Sequence, residues 1–208
     1  KTRKEADEAG TEVTVDHSKV ISQEPCSTPA GTSIAVKKLF YNIPARKKFL
    51  KNDPVEYRHI VDEFIRVALA HPEISFSLFH NGKNEYQLEK ANLRQRIVAI
   101  FGSNMNDKLI PVTEETHIVK VNGFVCKPEF ARKKRGEQFF FVNKRFIKSA
   151  YMHHAVNRAY ENLIAPDAHL FYFIYLDIEP SAIDVNIHPT KTEIKFDNEQ
   201  AIYSILAA

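Results

Sequence analysis

Two stretches of the 208-residue chain concentrate basic side chains that could bind phosphate. Residues 37–51 contain six lysines and arginines and no acidic residue, and residues 132–148 contain seven against the single acid Glu137. Clustered cations attract a nucleic-acid backbone by releasing its counterions, without reading the base sequence. A solvated surface gives the same pattern. The two clusters therefore predict either nucleic-acid contact or simple solubility.

A third candidate is the polar turn at residues 184–191, which follows an apolar strand pattern and ends on Lys191. A lysine ammonium can donate to a terminal phosphate as a point charge, although a surface turn often carries a lysine with no such role. His153 and His154 do not predict a metal site, because adjacent helical residues point about 100° apart. No Ser-His-Asp or Cys-His spacing suggests a nucleophile, and Phe139–Phe141 is interpreted as core.

The composition excludes several classes of protein. Hydrophobic residues make up 44% and charged residues 26%, which is typical of a globular protein. Two cysteines 100 positions apart predict neither a disulfide framework nor zinc, and indicate a reducing cytosol. No apolar run is long enough for a membrane span. The six glycines are never closer than 13 residues, so no glycine-rich phosphate loop is present.

The elements that must position these residues follow an interleaved α/β pattern. Asp53 is the predicted cap of a helix, with Pro54 at its first position and Glu56 closing a capping box. We place a domain boundary near residues 90–92. Predicted strands are 11–16, 19–23, 31–40, 74–80, 83–88, 118–125, 137–142, 145–148, the buried central strand 170–178, 183–187 and 192–196. Predicted helices begin at 53, 92, 149 and 200 and end near 71, 102, 164 and 206.

Three separated stretches of the chain resemble the MutL family of mismatch-repair proteins, in its bacterial form. They are GTSIAV running into LFYNIPARKKFL at 31–50, QFFFVNKR at 138–145 and DVNIHPTKTEIKF at 184–196. The resemblance extends over nearly the whole chain. It implies a mixed α/β (α+β) fold in which residues 1–90 are the C-terminal part of a GHKL ATPase domain, as in gyrase. Residues 91–208 would form a transducer domain resembling ribosomal protein S5 domain 2.

The resemblance also implies roles for particular residues. Thr32 matches a Gly-Thr strand residue that lines the adenine pocket, Lys191 matches a transducer lysine that reaches the γ-phosphate, and Arg145 matches a DNA-binding position. Lys144 stands where the family often has glycine, and it is a further candidate for DNA contact. The remaining candidates for phosphate contact are Arg46, Lys47, Lys48, Arg132, Lys133, Lys134 and Arg135.

For the full-length protein, the resemblance implies a mismatch-repair ATPase that uses ATP and Mg²⁺ and acts as a nucleotide-switched DNA clamp and matchmaker. The implied partners are DNA of any sequence, a second copy of the chain, a MutS-type recognition protein and a downstream nuclease or helicase. The expected location is the cytoplasm, in association with the nucleoid. The catalytic glutamate, the metal-holding asparagine, the adenine motif and the glycine-rich lid are absent. The sequence is therefore expected to be a fragment with negligible ATP hydrolysis, weak nucleotide affinity and no catalytic residue of its own.

Two alternatives remain. A plain nucleic-acid-binding module of the S5 type explains the basic clusters, but it does not explain the Gly-Thr strand or the turn ending at Lys191. A type II topoisomerase ATPase–transducer segment shares the architecture. That family carries a Gln-Thr-Lys loop, whereas this chain has His188-Pro189-Thr190-Lys191.

Overall fold

The computed structural model describes residues 1–133, 136–187 and 190–208. The chain divides into two compact units, residues 1–59 and residues 60–208, here called the first and the second unit. The predicted domain boundary near residue 90 stays a prediction.

The first unit is built on a four-stranded antiparallel sheet in the order β3-β2-β1-β4. Its strands are β1 (Thr2–Arg3), β2 (Gly10–Asp16), β3 (Lys19–Cys26) and β4 (Gly31–Thr32). A single turn of helix, α1 (Pro44–Lys47), follows. The hairpin of β2 and β3 confirms the pair of strands predicted over 11–16 and 19–23.

The predicted strand over residues 31–40 is wrong beyond Thr32. The side chains of Ile34 and Val36 are 82% and 75% exposed, and Lys38 and Phe40 adopt positive φ angles of 51° and 62°. A β-branched alternating sequence fits a strand only where a neighbouring strand supplies a hydrogen-bonded ladder. In the part of the chain that the structure describes, β4 pairs with β1 alone.

Helix α2 (Asp53–Ala70) begins where the sequence predicts, but its cap lies one residue earlier, and Glu56 bonds the residue before the cap instead of closing the predicted capping box. The side chain of Asn52 accepts a hydrogen bond from the Val55 backbone N–H at 3.2 Å, and the carboxylate of Glu56 accepts one from the Lys51 N–H at 2.7 Å. Asn52 is therefore the cap and Pro54 the second helical residue. Asparagine and aspartate cap helices almost equally well, so the sequence alone does not decide whether Asn52 or Asp53 is the cap.

The strands of the second unit are β5 (Phe76–His80), β6 (Lys83–Leu88), β7 (Leu109–Glu115), β8 (Lys120–Cys126), β9 (Gln138–Val142), β10 (Arg145–Ile147), β11 (Tyr172–Asp177), β12 (Ile183–Asp184) and β13 (Lys195–Phe196). Five of them form a mixed sheet in the order β10-β9-β11-β8-β7, in which β9 and β11 are parallel and the other pairs antiparallel. Strands β5 and β6 form a separate pair, as do β12 and β13. The helices of this unit after α2 are α3 (Leu93–Phe101), α4 (Ala150–Ala159) and α5 (Glu199–Leu206), with 3₁₀ turns at Ser103–Lys108, Pro128–Phe130 and Pro180–Ala182.

Both predicted tight hairpins are confirmed. Strands β5 and β6 join through Asn81 and Gly82, whose φ angles are 50° and 78°. Strands β9 and β10 join through Asn143 and Lys144, at 47° and 64°. Positive φ at both central residues defines the type I′ turn, whose twist matches that of the flanking strands.

The core of the second unit lies around β11, the third of the five strands. Residues 170–176 are all buried, which confirms the prediction of a central strand covered on both faces. Phe140 and Phe141 of β9 are also buried, as predicted. Gly123 of β8 has φ 141°, and a Cβ there would lie 2.0 Å from the Phe173 carbonyl oxygen, so only glycine fits.

Three elements are shorter than predicted, and one strand was missed. Helix α4 is capped by Ser149 but ends at Ala159, leaving Leu163 61% exposed. The strands predicted at 183–187 and 192–196 form two paired residues each. Strand β7 was not predicted because it contains Pro111 and acidic residues, which an edge strand tolerates. Within the described residues, no helix combines the length and the apolar character needed to cross a membrane.

Candidate anion-binding groove

An open groove of about 550 Å³ in the second unit brings together several of the predicted site residues. It is lined by α2, by the β9–β10 hairpin and by the loop that precedes β13. The lining residues are Glu63, Arg66, Val67, Ala70, His71, Asn143, Lys144, Arg145, Phe146, Thr190, Lys191 and Thr192. Four of these residues are basic and one is acidic, so the groove favours an anion.

The hairpin that carries Lys144 and Arg145 is fixed by Asn143. The Asn143 side chain donates to the Ile178 carbonyl at 2.8 Å and accepts from the Ile178 N–H at 2.9 Å. Its backbone N–H also donates to the Leu176 carbonyl at 3.0 Å. These bonds tie the tip of the hairpin to the end of the central strand, so the two basic residues project from a supported turn.

Lys191 reaches the same groove from a different loop. The Lys148 backbone N–H, just past β10, donates to the Thr192 carbonyl at 2.7 Å, which attaches this loop to the hairpin. The hydroxyls of Thr190 and Thr192 lie 2.9 Å apart on either side of Lys191, whose φ is 52°. The structure therefore places Lys191 and Arg145 on one surface, although 46 positions separate them in sequence.

Arg66 is a groove residue that the sequence analysis did not predict. Its guanidinium lies 4.3 Å from the centre of the Phe146 ring, and it also pairs with Glu63, one helical turn earlier on α2. The side chain of Arg66 is 20% exposed. Nothing in the local sequence distinguishes Arg66, because an i, i+3 pair of Glu and Arg is common on exposed helix faces.

Lys144 pairs with a residue that the sequence analysis also missed. Its ammonium nitrogen lies 2.9 Å from Oε1 of Glu73, and Nδ1 of His71 lies 3.2 Å from the same oxygen. The hydrogen bond from Lys144, together with one from the Glu73 backbone and one from His71, lowers the pKa of the Glu73 carboxyl to about 2. Glu73 is therefore ionised at neutral pH.

Buried Arg96 positions the segment that carries Glu73. Its guanidinium donates to the carbonyls of Pro72 and Ile74, on either side of Glu73, at 3.0 and 2.7 Å. It also donates to Ala68 at the end of α2 and to Glu89 after β6. Burial lowers the pKa of Arg96. Four carbonyl acceptors offset part of the desolvation of this cation, whose Nε is buried and makes no hydrogen bond with the described residues.

Two cations in the groove have no partner of opposite charge within the described residues. Arg145 and Lys191 are both exposed, and no carboxylate in the described part of the chain forms an ion pair with either. Lys144 and Arg66 are each engaged by a glutamate of their own unit. Arg145 and Lys191 are therefore the residues most open to an external phosphate.

The structure does not bring the whole 132–148 cluster together. Arg132 and Lys133 precede β9 while Lys144 and Arg145 follow it, and five strand residues span about 17 Å. The guanidinium of Arg132 is 3.0 Å from the carboxylate of Glu137 and 4.9 Å from the centre of the Phe171 ring. Lys133 is exposed. Lys134 and Arg135 lie outside the described residues, as do His188 and Pro189.

The remaining predicted residues belong to the first unit. The hydroxyl of Thr32 lies 2.9 Å from that of Thr2, and Thr32 is exposed on the edge strand. Arg46 and Lys47 on α1 and the adjacent Lys48 are exposed as well. Across the described residues, no three His, Cys, Asp or Glu side chains form a group that could hold a metal ion.

Comparison with known proteins agrees with this architecture. The family model described as "DNA mismatch repair protein, C-terminal domain" matches residues 97–208. The DNA mismatch repair protein MutL of Flavobacterium johnsoniae is 60% identical over 208 residues, which are the whole of this chain and 32% of that protein. The chain thus spans about a third of the length of the curated relatives it matches.

Two solved structures share the fold. The N-terminal domain of a DNA repair protein superposes with a TM-score of 0.78 at 24% identity, covering 95% of this chain and 65% of that one. The Aquifex aeolicus MutL ATPase domain complexed with ADP gives 0.69 at 25% identity, covering 86% of this chain and 66% of that one.

The fold is therefore that of a GHKL-type ATPase region followed by an S5-like transducer, as the sequence predicted. The family match decides among the three classes considered above. The chain belongs to the MutL family of DNA mismatch repair proteins.

Proposed function

We propose that the face of the groove around Arg145 binds the phosphate backbone of DNA, and that the protein acts in DNA mismatch repair. The observation that carries this proposal is that Arg145, which is exposed and has no carboxylate partner among the described residues, projects from a turn that Asn143 pins to the end of the central strand. Contacts of basic side chains to phosphate carry no base code, so binding is expected to be independent of sequence and steeply dependent on salt.

A second part of the proposal concerns nucleotide. The related Aquifex aeolicus ATPase domain was solved with ADP, and Lys191 is the predicted sensor of the terminal phosphate. Its ammonium is exposed in a fixed turn, which suits contact with a phosphate from a neighbouring domain. In the longer protein, ATP bound with Mg²⁺ would thus bias the orientation of the transducer through a contact that exists only with the γ-phosphate.

The full protein would then be an ATPase that works as a nucleotide-switched clamp on DNA. Its partners would be a second copy of itself, a MutS-type recognition protein and a downstream nuclease or helicase, and its place would be with the chromosome in the cytoplasm. The 208-residue chain alone is expected to hydrolyse no ATP. Steady turnover by the purified chain, at a rate unaffected by further purification, would contradict that expectation.

DNA binding by this chain, measured by fluorescence anisotropy with a short labelled duplex, tests the first part. Between about 50 and 200 mM NaCl the affinity should fall steeply. Arg145→Glu should weaken binding about tenfold or more and reduce the salt slope by about 0.9, because one phosphate contact is lost and a repulsion is added. Arg158→Glu on α4 is the matched control, since Arg158 is exposed and does not line the groove.

Equal weakening by both variants would show that only overall charge matters, and would remove the groove from the proposal. For the nucleotide part, Lys191→Ala is placed in the longer protein, and DNA binding is measured with and without a non-hydrolysable ATP analogue. The variant should lose the nucleotide response and keep most of its basal DNA binding. A retained response together with lost DNA binding would assign Lys191 to DNA instead, as the plain nucleic-acid-binding module requires.

A further inference from the structure

The ion pair between Lys144 and Glu73 places a carboxylate at the edge of the proposed DNA groove. A carboxylate there reduces the positive potential that DNA needs, yet both partners lie on backbone that the fold holds firmly. Lys144 stands on the turn pinned by Asn143, and Glu73 stands between the two carbonyls that buried Arg96 binds. The pair is therefore a built feature of this surface rather than a chance contact of two long side chains.

We propose that Glu73 is an intramolecular competitor for DNA: its carboxylate occupies the Lys144 ammonium in free protein, and a DNA phosphate displaces it on binding. This inference rests on the proposed DNA-binding role of the groove. Carboxylate and phosphate oxygens are interchangeable partners for an ammonium, and the Lys144–Glu73 distance of 2.9 Å is that of a charge-assisted hydrogen bond.

The exchange is feasible because neither partner is buried. The side chains of Lys144 and Glu73 are 59% and 51% exposed, and exposed ion pairs are weak and easily broken. His71 already contacts the Glu73 oxygen that Lys144 binds, so the carboxylate keeps one hydrogen-bond partner when Lys144 leaves. Arg145, the next residue on the same turn, has no such competitor within the described residues.

The test is a double-mutant cycle in the 208-residue chain, with the labelled duplex as probe. Glu73→Gln keeps the shape and the hydrogen-bonding oxygen but removes the charge. It should tighten DNA binding about two- to fivefold, because the ion pair no longer has to be broken before Lys144 contacts a phosphate. Lys144→Ala alone should change affinity less than about twofold, because the loss of a phosphate contact is nearly offset by the absence of an ion pair that binding must break.

The decisive measurement is Glu73→Gln in the Lys144→Ala background, where the gain should disappear. A gain of the same size there would mean that Glu73 acts through the general field and not on Lys144, and the proposal would fail. Weaker binding by Glu73→Gln would also overturn it, because Glu73 would then orient Lys144 for DNA rather than compete.

The pair of Lys120 and Glu115 provides the matched control. Its nitrogen and oxygen lie 3.2 Å apart, and both side chains are at least half exposed. Glu115 is on the edge strand β7 and Lys120 on its neighbour β8, which lie about 19 and about 14 Å from β10 across the sheet. Glu115→Gln should leave DNA affinity within about 1.5-fold. Thermal unfolding of each variant checks that it is folded.

Arg145→Glu, measured in the same series, separates this inference from the proposed function. If Arg145→Glu abolishes binding while Glu73→Gln is inert, DNA binding stands and the competitor role fails. If neither variant has an effect, or the parent chain does not bind the duplex, both proposals fall.

Discussion

The two ends of strand β9 hold basic residues that look alike in sequence and differ in structure. Beyond its carboxyl end, Arg145 is exposed and unpaired within the described residues. Before its amino end, Arg132 pairs with Glu137 and lies over the ring of Phe171. The charge of Arg132 is engaged by partners within its own chain, whereas that of Arg145 is available to a ligand.

The number of cations in a stretch of sequence therefore does not measure its capacity to bind anions. What matters is whether the fold supplies each cation with a partner. Arg96 is the extreme case, because it is fully buried and bonded to four backbone carbonyls. Lys144 is intermediate, since its partner Glu73 is exposed and can be displaced.

The largest expected effect comes from the most completely partnered cation. Arg96→Met should lower the free energy of unfolding by at least about 3 kcal/mol, because four carbonyl groups lose their donor in a region shielded from water. Chemical denaturation monitored by circular dichroism measures this. The control is Arg158→Met on α4, where Arg158 is exposed, which should cost less than about 1 kcal/mol. Similar losses in both variants would show that Arg96 has no special structural role.

An intermediate effect is expected at the amino end of β9. Arg132→Gln should destabilise the chain by about 1 kcal/mol, through loss of a partly exposed ion pair and a cation–π contact. Its DNA affinity should change less than about twofold, in contrast to the large loss with Arg145→Glu. Denaturation and anisotropy on the same samples test both statements.

Lys133→Gln is the control for Arg132→Gln, because Lys133 is the exposed neighbour. It should leave stability unchanged. A tenfold loss of DNA affinity in Arg132→Gln with stability intact would contradict the claim that Arg132 is engaged only within the chain, because Arg132 would then give up its internal partners to bind DNA.

Much of the fold followed from local patterns in the sequence. The Asn-Gly and Asn-Lys hairpins, the cap at Ser149 and the uniformly apolar strand β11 are set by interactions among near neighbours, so periodicity and turn chemistry predicted them. The strand predicted beyond Thr32 failed because a strand depends on a partner that its own sequence does not reveal.

The groove was only partly predictable for a similar reason. Arg145 and Lys191 were predicted from family motifs, but their shared surface depends on the hydrogen bond from Lys148 to Thr192, which no spacing indicates. Glu73 and Arg96 were missed entirely. Each looks like an ordinary surface residue in sequence, and its role arises from segments that only the tertiary structure brings together.

The smallest expected effect concerns the intermediate case, Lys144 with Glu73. The pKa of the Glu73 carboxyl, about 2 in the parent chain, should rise toward its ordinary value of 4.5 in Lys144→Ala, because the largest cause of the depression is removed.

A depressed pKa means that the folded chain binds the proton of Glu73 more weakly than the unfolded chain. The stabilisation from ionised Glu73 is therefore full above about pH 4.5 and disappears as the pH falls toward about 2. Carboxyl-detected NMR titration measures the midpoint directly, and Lys120→Ala, on β8 and three strands away from β10, should leave it unchanged. A Glu73 midpoint that does not move in Lys144→Ala would show that backbone and His71 contacts alone hold the carboxylate, leaving Lys144 as free for DNA as Arg145.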